Sequence, residues 1–363
     1  MRYVDAFREP ALARPLVEKI RSLGEGALPF RVMEVCGTHT MAIARNGIRA
    51  LLGGGVTLVS GPGCPVCVTP DGYIDAAATL GRRREVILAT FGDMVKVPGT
   101  ASSLEKERGN GADVRVVYSP LDAVEIAARN PKREVVFLGV GFETTAPAIG
   151  GAIEAAGRRA LANFSVLASV RTIPEAMDAL AGDPGVRIEG FLCPAHVTAI
   201  IGSDAYLPLV EKRGIPCVVA GFEPLDILCG ISMLLLQRRE GKPRVENEYA
   251  RVATSGGNRK AQALLGRVFE KCDISWRGIG VIPGSGLRIA DAYAPFDARK
   301  KFGIDVVDSA PATPCRCGDV LKGIITPREC PLFGKACTPE EPVGPCMVSS
   351  EGTCAAFFKY GEQ

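Results

Sequence analysis

Short runs of apolar, largely β-branched residues recur through the first two thirds of the chain, and helix-period stretches separate them. The runs predict strands over Arg31–Cys36, Val56–Ser60, Glu85–Thr90, Asp113–Ser119, Glu134–Gly139, Phe164–Val170, Arg187–Cys193 and Pro216–Ala220. Pro120–Asn130, Ala146–Ala160, Ile173–Ala181 and Pro224–Arg238 read as helices. Strands that are apolar throughout, instead of alternating, are buried on both faces, so the expected class is α/β with parallel sheets covered by helices. The longest apolar run, Leu225 to Leu236, is too short to cross a bilayer and reads as a buried helix. Beyond about Lys242 the pattern changes. Glu246 to Cys272 reads as one or two polar helices broken at Gly256-Gly257, and the remainder is rich in Gly, Pro and Cys with little periodicity.

Two units look like copies. Cys36-x-x-His39-x-x-Ala42-Ile43 and Cys193-x-x-His196-x-x-Ala199-Ile200 share one spacing, each after an apolar run, and hold both histidines of the chain. Leu58-Val-Ser-Gly61 and Val218-Val-Ala-Gly221 follow at nearly matching offsets. The expectation is two similar α/β domains from a duplication, over 29–130 and 131–241, with a seam near Asn130 or Pro131. A helical segment over 1–28 precedes them. A helical and cysteine-rich domain over 242–363, too poor in apolar residues to fold on burial alone, follows and is expected to be organised by a metal centre.

Composition narrows the function. The chain has 363 residues, 47% of them hydrophobic, and a net charge of +3 without a basic stripe, which speaks against a nucleic-acid partner. Met1 to Pro10 carries four charges and no apolar core, so no secretory signal is expected and a cytoplasmic home is. The 13 cysteines are odd in number and unevenly spread, which suits metal or redox thiols in a reducing compartment better than a secreted disulfide framework.

Six of them, Cys315, Cys317, Cys330, Cys337, Cys346 and Cys354, fall within 40 positions. Four thiolates from irregular segments suffice for an iron–sulfur cluster or a structural zinc; the surplus pair could form a disulfide beside it. Cys64-Pro-Val-Cys67, after a Gly-Pro-Gly turn, is spaced for a reversible disulfide or for half of a zinc site. Cys36 and His39 suit a transition metal, a Cys–His nucleophile pair, or a buried thiol beside a capping histidine. Asp93 in Thr-Phe-Gly-Asp-Met and Glu143 in Gly-Phe-Glu-Thr-Thr stand at expected strand ends as candidate proton donors or orienters of a ligand histidine. No Walker motif or dinucleotide fingerprint is present.

Taken together, Cys-Gly-Thr-His-Thr (36–40), Gly-Pro-Gly-Cys-Pro-Val-Cys (61–67), Thr-Phe-Gly-Asp-Met (90–94), Gly-Phe-Glu-Thr-Thr-Ala-Pro (141–147), Cys-Pro-Ala-His-Val (193–197) and the cysteine-rich tail resemble the HypD family of [NiFe] hydrogenase maturation factors. That resemblance implies two similar α/β domains plus a domain holding a [4Fe–4S] cluster. It also implies a scaffold, shared with a HypC-like chaperone, on which the Fe(CN)2CO unit is assembled with cyanide from a HypE-like donor working with HypF. Cys36 would anchor the iron with His39 beside it, Cys64 and Cys67 would be the redox-active pair, and Asp93 or Glu143 would shape the pocket. The tail is similar to that of ferredoxin:thioredoxin reductase, where a cluster sits beside an exchangeable disulfide. That likeness favours Cys315 as a cluster ligand and Cys317 as half of the disulfide. Cys330 and Cys337 then supply two more ligands, and of Cys346 and Cys354 the latter, which closes the chain over the cluster, is expected as the fourth, leaving Cys346 to pair with Cys317. Rival classes are a free-standing thiol–disulfide reductase and a zinc-stabilised binding module.

Overall fold

The computed structural model describes residues 5–25, 29–307 and 313–361; positions 1–4 and 26–28 of the expected N-terminal segment lie outside them. Eleven strands are described: β1 Phe30–Glu34, β2 Val56–Ser60, β3 Val86–Thr90, β4 Asp113–Val116, β5 Glu134–Gly141, β6 Phe164–Arg171, β7 Gly190–Pro194, β8 Cys217–Ala220, β9 Val245–Asn247, β10 Phe269–Trp276 and β11 Gly280–Ile289. They form two sheets. The first is all parallel, in the order β2-β1-β7-β8-β9. The second, β10-β11-β6-β5-β3-β4, is parallel over β6-β5-β3-β4 and antiparallel at its β10–β11 edge. Every residue of β3 and β8 is buried, as double-sided coverage by helices requires.

Local chemistry sets the helix starts. Ser119 and Asp122 form a capping box at the helix Pro120–Arg129, with proline at its first turn. Glu223 and Asp226 do the same for Pro224–Glu240, the apolar helix, which packs against the N-terminal helix Pro10–Gly24. Among the described residues no helix is long and apolar enough to cross a membrane.

The α/β class follows the sequence pattern, but its division does not. The seam near Asn130 does not separate the sheets: β3 and β5 pair across it, Val86 with Glu134 and Leu88 with Val136. The first sheet instead joins β1 and β2 to β7, β8 and β9, with β3–β6 forming the second sheet between them in sequence. The two Cys-x-x-His units therefore end adjacent strands of one sheet, where Val32 pairs with Gly190 and Glu34 with Leu192.

The stretch expected to be helical through Cys272 divides at Val268. Arg259–Val268 is a helix, and Phe269 begins the strand that, with β11, extends the second sheet. The hairpin tip wedges against the tail. Gly278 (φ 71°) approaches Gly318 so closely that a Cβ on it would lie 2.4 Å from the Gly318 Cα. The tail is mostly irregular, with short helices at Cys317–Leu321, Pro345–Val348 and Thr353–Tyr360, the last packed on the helix that follows Cys36.

Candidate metal and thiol site

In open parallel sheets, ligands gather beyond the strand carboxyl ends where the chain's winding reverses. The first sheet reverses between β1, which continues outward to β2, and β7, which continues the other way to β8. Cys36 follows β1 and His196 lies two residues beyond β7, and across this reversal the Cys36 Sγ lies 3.8 Å from the His196 Nε2. His39 is placed differently. Its Nε2 donates to the carbonyls of Gly221 (2.8 Å) and Ala220 (3.1 Å), tying the end of β1 to that of β8. Phe222 stands between the rings, with centroids 4.8 Å from His39 and 4.9 Å from His196. Burial pushes both imidazoles down to about 4, so both are neutral at pH 7. His196, not His39, thus offers a neutral ring nitrogen to the Cys36 sulfur. The repeated Cys-x-x-His spacing is the sequence signal of it. Cys193 turns elsewhere, its thiol neighbouring that of Cys217 on β8.

Cys36 caps the helix Gly37–Arg45 in extended conformation, and Glu34 holds it there. The Glu34 carboxyl accepts from the Cys36 N–H at 3.1 Å and from the Thr40 hydroxyl at 2.5 Å; burial pushes it up to about 7. Burial also raises the Cys36 thiol to about 12, so a metal ion binding there displaces a proton. Beside it opens a cleft of about 550 Å³ lined by Thr38, Met41, Phe222, Glu223, Ser350 and Glu351.

The Gly-Pro-Gly-Cys turn packs on the same backbone. A Cβ on Gly63 would stand 2.1 Å from the Cys36 nitrogen, and Gly37 N donates to Gly63 O at 2.9 Å, so only glycine fits. This sets Cys64 and Cys67 next to the Cys36 turn. Cys64 Sγ accepts from the Cys67 N–H at 3.2 Å and donates to Ser349 Oγ at 3.3 Å. Asp93, after β3, accepts from Ser349 Oγ (3.2 Å), Ser350 N (3.1 Å) and Ser350 Oγ (3.0 Å). Its partners are tail serines and neither histidine. Sequence reasoning missed Ser349, which belongs to no motif.

All six tail cysteines line one tight pocket, walled otherwise by Val320, Phe333, Gly344 and Met347. Among the described residues no three His, Cys, Asp or Glu side chains close on one point as ligands of a single ion. The sulfurs instead surround a space without charged side chains, an arrangement that fits a cluster with separated iron corners. Its wall continues into the turn: Cys354 neighbours Cys346, Cys346 neighbours Cys67, whose Sγ lies 3.9 Å from the Pro345 carbonyl, and the Cys67 N–H donates to Cys64 Sγ.

Glu143 lies at the equivalent reversal of the second sheet, after β5. One carboxyl oxygen accepts from Ile173 N at 2.8 Å; the other is buried without a partner. Burial pushes the group up to about 8 from 4.5. Between those values the unfolded chain ionises this carboxyl and the folded chain does not, so its contribution to stability is full below pH 4.5 and is lost as pH rises through 8. Glu143→Gln keeps an acceptor for Ile173 and cannot ionise. Denaturant midpoints measured from pH 5 to 8 should therefore fall less steeply for the variant than for the wild type; parallel curves would refute a neutral Glu143.

The family model described as "HypD: Hydrogenase formation hypA family" matches residues 11–361. The chain is 48% identical to the hydrogenase maturation factor HypD of Azotobacter vinelandii over 370 residues, covering 100% of this chain and 98% of that protein. It is 47% identical to HypD of Rhodobacter capsulatus over 371 residues (99% and 98% covered). With HypD of Escherichia coli K12 it shares 43% identity over 374 residues (100% and 99%). On the full-length family match and these identities, the chain belongs to the HypD family of hydrogenase maturation factors.

Proposed function

We propose that this chain is the cytoplasmic, redox-active scaffold on which the Fe(CN)2CO unit of a [NiFe] hydrogenase is assembled, working with a HypC-like chaperone and a HypE-like cyanide donor. The observation that carries this reading is the row of neighbouring thiols Cys354–Cys346–Cys67–Cys64, which leads from the tail cavity to the turn packed on Cys36. An iron anchor alone would not need such a row, and a free-standing reductase would not need a thiol and a neutral imidazole facing each other at the neighbouring reversal.

Iron bearing cyanide and carbonyl is the cargo. The Cys36 thiolate anchors it together with a cysteine of the chaperone, and the open cleft beside Thr38 and Phe222 gives both a way in. His196 supplies a neutral nitrogen beside the anchor, while Glu34 and His39 hold the turn and the strand ends. In the tail, Cys315, Cys330, Cys337 and Cys354 hold a [4Fe–4S] cluster, and Cys317 with Cys346 form the exchangeable pair. A bound cluster supplies single electrons. Cys346 passes reducing equivalents to Cys67 by thiol exchange, for which touching sulfurs are the geometric requirement.

Anaerobic co-purification with a HypC-like protein, followed by infrared spectroscopy in the CN/CO stretching region, tests the scaffold role. Cys36→Ala should abolish those bands and leave the visible absorbance of the tail cluster. His196→Ala should weaken iron retention by about 10–100-fold, the usual cost of losing a group that supports a ligand. Full bands in the Cys36 variant would refute the anchor.

Colour tests the division of the tail. Replacing Cys315, Cys330, Cys337 or Cys354 with Ala should bleach the protein, whereas replacing Cys317 or Cys346 should leave it brown and halt reduction of Cys64–Cys67. A brown Cys354 variant with a colourless Cys346 variant would reverse their roles.

A further inference from the structure

The tail does more than present sulfur to the Cys64–Cys67 pair. Cys64 Sγ sits between two polar partners, the Cys67 N–H at 3.2 Å and the Ser349 hydroxyl at 3.3 Å. Ser349 is 1% exposed, and its hydroxyl continues to Asp93 Oδ2 at 3.2 Å. Asp93 is partly exposed and also accepts from the exposed Ser350, so its carboxylate can exchange protons with water. Cys67 Sγ instead lies 3.9 Å from the Pro345 carbonyl, beside Cys346. The two thiols of the pair are therefore inequivalent: one meets sulfur, the other meets a hydroxyl backed by a carboxylate.

We propose that Ser349 and Asp93 form the proton path of Cys64, making Cys64 the thiol that gains or loses a proton while Cys67 is the sulfur that exchanges with the tail. This rests on the thiol-exchange reading above. In the oxidising direction Cys67, giving up its proton, attacks Cys346 of the Cys317–Cys346 disulfide; the Cys67–Cys346 bond forms, the Cys317–Cys346 bond breaks, and Cys317 leaves as thiolate and takes up a proton. Cys64 attacks Cys67 Sγ; the Cys64–Cys67 bond forms, the Cys67–Cys346 bond breaks, and the electron pair leaves on Cys346 as thiolate. The Cys64 proton passes to Ser349 Oγ as the Ser349 proton passes to Asp93, which ends as a carboxylic acid. In the reducing direction Cys346 thiolate attacks Cys67, and Cys64 departs and recovers its proton by the same path. The Cys67 N–H steadies the sulfur charge in both directions. Ser349 and Asp93 are positioning and proton-transfer groups supplied by two distant parts of the chain, so the pair is competent only with the tail docked.

The test follows closure of the Cys64–Cys67 disulfide in the fully reduced, full-length protein, with oxidised dithiothreitol as the electron acceptor, acid quenching and mass spectrometry across a pH series. Ser349→Ala should close about 100-fold more slowly near neutral pH, the lower end of what a positioned general base contributes, and should converge with the wild type in alkali. Asp93→Asn should behave alike, and Ser349→Thr should restore the rate. Ser350→Ala, which loosens the same docking contact but leaves the Ser349 hydroxyl in place, should slow closure far less than Ser349→Ala does. Superimposable pH profiles for Ser349→Ala and wild type would overturn the proton path alone. Equal slowing by Ser350→Ala, or slowing by Ser349→Ala that persists in alkali, would also overturn it, because a loosened segment would then be the cause. A wild type that never forms the disulfide would overturn the exchange reading beneath it.

Discussion

The contact of Cys67 with Cys346 is the interaction on which this molecule's working parts depend. It is the place where a turn of the first sheet meets the cysteine-rich tail, with Cys67 Sγ 3.9 Å from the Pro345 carbonyl and Cys346 beside it. Around it the chain adds close backbone approach to the apolar core that Cys64, Cys67 and Cys346 share. Gly63 lies on the Cys36 backbone, Gly278 on Gly318, and a Cβ on Gly344 would stand 2.6 Å from the Cys315 sulfur. Such contacts fix position within tenths of an ångström, which is what a sulfur relay needs. Asp93 and Glu351 complete the docking, Asp93 through the serines at 349 and 350 and Glu351 through Thr38 at 2.8 Å.

The same packing explains why two sheets are needed. The first sheet's reversal presents Cys36 and His196; the second sheet's reversal supplies Asp93 after β3 and Glu143 after β5. Cys64, Cys67, Phe142, Cys193 and Cys346 share one buried core with residues of both sheets and of the tail. Deep burial keeps Cys36 and Cys67 protonated and the histidines neutral, so charge enters this core with a metal or during exchange.

Much of this was legible in the sequence, for physical reasons. Strands buried on both faces are apolar throughout, so β1 to β8 stood out, and the motifs fell at their carboxyl ends where ligand groups belong. Pairing was not legible. A run such as Val86–Thr90 states that it is buried but not beside which strand, so the repeat was read as two domains when it is two neighbouring strands of one sheet. For that reason His196 looked like the copy of a site instead of the partner of Cys36. The β10–β11 hairpin escaped because Glu270, Lys271 and Asp273 lie on an edge facing water, where the apolar signal is weak. Ser349 escaped because a hydroxyl acquires its role from what it touches.

The central claim, that the tail reaches the Cys64–Cys67 pair through one sulfur contact, is tested most directly by trapping it. In a Cys64→Ser variant Cys67 has lost its neighbour, and mild oxidation followed by peptide mapping should recover a Cys67–Cys346 disulfide in high yield. Recovery of Cys67 as a free, alkylatable thiol, or its capture by a different cysteine, would contradict the account.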